Sequence, residues 1–66
     1  MNSNIGISDY ALAVVTKDVN LKFGGGCPIF YVKDDKEMEK KAMLLSKFLG
    51  GTVHDLTGGI LIVVKH

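Results

Sequence analysis

The sequence predicts a small α+β domain: a mixed or mostly antiparallel sheet of about five strands in the order β-β-β-α-β-β, with one amphipathic helix on one face. Three observations lead to it. A helix-period segment between Asp34 and Gly50 carries stop signals at both ends. The segments on either side are short, rich in β-branched residues, and either alternate or run apolar. Residues Ile60-Leu61-Ile62-Val63-Val64 are five consecutive branched aliphatics, so a strand built from them has no polar face.

The first predicted strand is Tyr10–Thr16, with Tyr10, Leu12 and Val14 on one face and the smaller Ala11, Ala13 and Val15 on the other. Val19, Leu21 and Phe23 then alternate with Asn20 and Lys22, the period of a half-exposed second strand. A helix from Ser8 to Phe23, stopped by Gly24, is the alternative for this region, and its β-branched content favours strands. Ile29–Lys33 follows the single proline and forms a third strand, with Pro28 at its first position, where a missing N–H is tolerated.

Asp34 is placed to cap the helix and Glu37 to complete a capping box three residues on. At 100° per residue, Met38, Ala42, Leu45 and Leu49 share one face, and Glu39, Lys40, Ser46 and Lys47 lie away from it. Gly50-Gly51 supplies the stop and Lys47 the cation that the last turn favours. Thr52–Leu56 and Gly59–Lys65 complete the sheet as a hairpin turned at Thr57-Gly58.

A chain of 66 residues allows one domain over residues 1–66, with 1–8 expected to be flexible, and it hides only about 60% of its unfolded surface. One cysteine, Cys27, excludes an intrachain disulfide, which leaves oligomerisation or a partner as the common means of support. The charged residues are eight lysines, no arginine and seven acids, for a net charge of +1. That balance disfavours nucleic acid, because neither a field of one sign nor a bidentate guanidinium is present. A weak sheet-face contact through Lys with Tyr10, Phe30 or Tyr31 is the residual nucleic-acid reading. No apolar run is long enough to span a bilayer and no basic leader is visible, so no membrane association and a cytoplasmic location are expected.

One helix cannot cover both faces of such a sheet. The surplus apolar residues, Leu44 and Phe48 beside the main helical stripe, Met43 nearly opposite it, and Ile62 and Val64 on the last strand, are the candidate partner-binding residues. Closure of the second face by Tyr10, Phe30 and Tyr31 within the monomer is the competing account.

The segment Gly24-Gly25-Gly26-Cys27 is the candidate anion or thiol site, since glycine N–H groups converge on anions and a thiolate is nucleophilic. It matches no phosphate-loop or dinucleotide pattern, it joins two strands rather than opening a helix, and no basic residue stands near Cys27. His54 and Asp55 would complete a Cys-His-Asp set only if adjacent strand residues could share a face. A metal would need Cys27, His54, Asp55 and His66 from distant segments, so no metal and no cofactor are expected.

The functional expectation is a small non-catalytic protein-binding module, an inhibitor or adaptor that occupies a surface of a larger protein, or else a homodimer. The alternative is a thiol-dependent or anion-binding enzyme or subunit centred on Gly24 to Cys27.

Overall fold

The computed structural model describes residues 11–22 and 26–65. Its elements are β1 (Ala11–Thr16), β2 (Ile29–Tyr31), α1 (Asp35–Leu49), β3 (Gly51–Asp55) and β4 (Ile60–Lys65). They form a four-stranded mixed sheet in the order β2-β1-β4-β3. β1 runs parallel to β2 and antiparallel to β4, and β4 is antiparallel to β3. β2 and β3, on either side of the helix in sequence, therefore run parallel at opposite edges of the sheet.

The helix is specified by local chemistry. The Asp34 carboxylate accepts the Glu37 N–H at 2.8 Å, and Glu37 reaches back to the Lys33 N–H at 2.9 Å. Gly50 adopts φ 71° and its N–H donates to the Ser46 carbonyl, closing the last turn. Met38 and Ala42 are buried against Val15, Val32 and Leu61, with Phe30, Leu45 and Val53 packed around them. Each large aliphatic buried this way contributes about 1.5–3 kcal/mol.

The expected second strand is absent among the described residues. After Thr16 the backbone turns: the Thr16 hydroxyl accepts the Asp18 N–H at 3.0 Å, the Asp18 carboxylate accepts the Asn20 N–H at 2.9 Å, and the Leu21 N–H donates to the Asp18 carbonyl. Side-chain bonding of this kind competes with a ladder, and it leaves Val19 exposed. The helical alternative for 8–23 does not form either, because residues 11–16 are strand. Tyr10, Phe23, Gly24, Gly25, His66 and the segment 1–8 lie outside the described residues.

Two further boundaries move. The hairpin turn has three residues instead of two, since Thr57, Gly58 and Gly59 all have positive φ (69°, 64° and 80°), and β4 starts at Ile60. The Asp55 carboxylate accepts the Thr57 N–H at 2.7 Å and so holds a non-glycine residue in this left-handed region. β2 is shorter than Ile29–Lys33, and Pro28 precedes it, its carbonyl accepting the Val14 N–H at 2.9 Å.

The register places Ala13, Val15, Phe30, Val53, Leu61 and Val63 on the helix side, and Val14, Thr16, Ile62, Val64 and His54 on the other. On that far face Val14, Thr16 and Ile62 are fully buried within the chain, so the central strands are closed on both sides. The Thr16 hydroxyl donates to the Gly59 carbonyl at 3.0 Å, which ties the end of β1 to the hairpin.

Candidate protein-contact surface

Partner contact requires apolar side chains that the fold leaves uncovered, and among the described residues α1 supplies most of them. Phe48 is 83% exposed, Met43 58%, Leu44 47% and Leu49 46%. Burying an aromatic such as Phe48 in a partner pocket is the kind of contact that dominates interface energies.

These side chains do not form one patch. Leu44 and Phe48 stand one helical turn apart on the flank toward β2, where Leu44 borders a shallow hollow with Tyr31, Val32, Glu37, Lys40 and Lys41. Met43 lies on the other flank, in a hollow shared with Glu39, Ser46, Val53 and Leu61. Of the other two expected contact residues, Ile62 is fully buried and Val64 half-buried on the far face, so Ile62 offers no surface. The apolar character of β4 is largely spent inside the chain, since Leu61, Ile62 and Val63 are all buried.

Of the glycine-cysteine loop, Gly26 and Cys27 are described. Gly26 has φ 75°, and the half-buried Cys27 thiol donates to the Pro28 carbonyl at 3.7 Å. Burial pushes the Cys27 pKa up, the reverse of what a nucleophilic thiolate needs. Alkylation by iodoacetamide is therefore expected to follow a pH profile displaced above that of the urea-unfolded chain, with slower reaction in the folded chain at pH 8. A folded profile at or below the unfolded one would restore Cys27 as a reactive thiol. The sign for stability agrees: a thiol with a raised folded pKa adds stability that is lost as pH rises through that pKa.

Cys27 leads into β2 at one edge of the sheet, whereas His54 and Asp55 lie on β3 at the other, with β1 and β4 between. His54 and Asp55 also point to opposite faces, and the Asp55 carboxylate is engaged with the Thr57 N–H. The three are not brought together. Among the described residues no three His, Cys, Asp or Glu side chains group as metal ligands, and no helix is long and apolar enough to cross a membrane.

The chain is a small α+β fold with uncovered apolar side chains on both flanks of its described helix, and the family it matches is one of small subunits of a protein complex. The chain belongs to the family described as the capping complex subunit for YIEGIA, whose model it matches over residues 8–66. It is also similar to the uncharacterized protein YpzH of Bacillus subtilis (strain 168), 38% identical over 55 residues that cover 83% of this chain and 84% of that protein. No solved structure gives a significant match.

Helical angles mark Met43, Leu44 and Phe48 as apolar residues off the core stripe, and all three are exposed. Sequence reasoning did not single out the edge position of β3 or the hollow between Val53 and Met43, since both depend on strand order, which no local pattern encodes.

Proposed function

We propose that this chain is a non-catalytic subunit that caps a YIEGIA protein by docking on it, with Phe48 as the main apolar anchor and Leu44 beside it. The observation that carries this reading is Phe48 itself, an aromatic side chain 83% exposed on a well-capped helix. Left in water, such a side chain forgoes about 1.5–3 kcal/mol that burial would return. Membership in a family of capping complex subunits supplies the kind of partner.

The test is co-purification of a YIEGIA protein with the wild-type chain and with Phe48→Asp, alongside light scattering of the chain alone over a dilution series. Phe48→Asp is expected to fold, with stability lowered by no more than about 1 kcal/mol, because the position is exposed but an acid in the last turn of α1 opposes the macrodipole, and to lose the complex. A concentration-dependent dimer that Phe48→Asp abolishes would assign the residue to self-association instead. Retention of the YIEGIA protein by Phe48→Asp would remove Phe48 from the interface.

A further inference from the structure

We propose that the open edge of β3 receives an added antiparallel strand from the capped partner, an extended segment in which a lysine or arginine stands two positions before an aliphatic residue. This rests on the reading that the chain docks on a partner as a subunit of its complex.

The backbone supplies the first argument. The Leu56 N–H donates to the Ile60 carbonyl at 3.0 Å, and the register pairs His54 with Ile62 and Thr52 with Val64. In an antiparallel pair the bonding direction alternates, so Thr52, His54 and Leu56 bond inward to β4. The N–H and C=O groups of Gly51, Val53 and Asp55 then point outward, and among the described residues no strand pairs with them.

Open edges are usually blunted by lysine, proline, a bulge or a very short strand. Gly51–Asp55 carries neither lysine nor proline, and its register with β4 is unbroken. The other edge is blunted: β2 has three residues and is led in by Pro28. The contrast singles out β3 as the edge that can be extended.

Side chains supply the rest. Val53 faces the helix side and borders the hollow formed with Met43, Leu61, Ser46 and Glu39. A residue directly opposite Val53 on an added antiparallel strand would project to the same face, over this hollow, where an aliphatic side chain fits. The residue opposite Asp55 comes two positions earlier in that strand. It meets an adjoining hollow lined by the carboxylates of Asp35, Glu39 and Asp55. Among the described residues Lys17 is the only cation lining it, and its ammonium is already 2.6 Å from Asp35. A basic side chain is the complement. A second copy of this chain does not provide it, because two β3 strands paired about Val53 would set Gly51 opposite Asp55.

The experiment measures amide hydrogen exchange of the chain alone and in its co-purified complex with a YIEGIA protein, with the variants Val53→Pro and Glu39→Lys tested for complex formation. The Val53 and Asp55 amides are expected to slow by roughly a hundredfold or more on binding. Val53→Pro removes an outward N–H and no ladder bond, so it should weaken the complex while the sheet persists; if it fails to fold, exchange on the wild-type chain decides. Glu39→Lys, at an exposed helical position, should weaken binding about tenfold. A complex in which the Val53 and Asp55 amides exchange as fast as in the free chain, with protection only along α1, would overturn the added strand and leave the capping reading standing. Failure of the wild-type chain to form any complex would overturn both.

Discussion

Gly51→Ala is expected to remove about 3 kcal/mol of stability, the upper end of the usual cost of overpacking. A Cβ at position 51 would lie 2.5 Å from the Val64 carbonyl oxygen, 2.8 Å from Val63 Cγ1 and 3.0 Å from Leu12 Cδ1. Leu12 reaches there from β1, where the register with β4 shifts between Ala11 and Ala13, so its side chain lies across β4 toward β3. A leucine tip can rotate away, but a ladder carbonyl cannot move without dragging β4. In a domain this small, whose whole stability is about 3–10 kcal/mol, the variant should melt roughly 12–24 °C below the parent or not fold at all. Gly50→Ala is the control: φ there is 71°, nothing lies within 4 Å of the added carbon, and only the left-handed backbone is penalised, at about 1 kcal/mol. Urea unfolding of the pair separates crowding from conformation; equal losses would mean that the close approach at Gly51 does not constrain the fold.

Ile62→Ala is expected to cost about 2–5 kcal/mol, the range for emptying a packed aliphatic site. Ile62 is 0% exposed on the face away from the helix, in register with Val14, which is also fully buried. Were that face a docking surface, the same substitution would cost the free chain little and the complex much. Unfolding in urea with the chain alone therefore tests where the face is closed. A loss below about 0.5 kcal/mol, the ordinary surface value, would return Ile62 to the partner-binding set. Leu45→Ala should fall between the two extremes, because Leu45 is half-buried at the margin of the core.

The helix was legible because its signals are local: Asp34 and Glu37 at the start, Gly50 at the end, and an apolar stripe between them. β1 and β4 were legible because β-branched runs leave few other options. Val19-Asn20-Leu21-Lys22 misled for a comparable reason. Its period of two is the strand signal, but the Thr16 and Asp18 side chains compete for the backbone and turn it. The turn at Thr57 was placed correctly and made one residue too short, since only the positive φ of Gly59 shows that it belongs to the loop. Helical angle sufficed to pick out Phe48 and Leu44 as apolar side chains that the core leaves exposed. It could not tell that Ile62 is enclosed, which depends on what covers the far face, or that Val53 lies on an edge strand, which depends on strand order.

That arrangement also governs how the chain reaches its native state. The two central strands come from residues 11–16 and 60–65 and pair with each other along their length. The helix and the β3–β4 hairpin are short-range structures that can form and dissolve on their own, whereas β1 has no antiparallel neighbour until β4 arrives across almost the whole sequence. The entropy of closing that long loop is met before the sheet returns any of it, so folding is governed by one late, distant encounter. During synthesis, the edge of β1 that pairs with β4 stays open until β4 has cleared the ribosome.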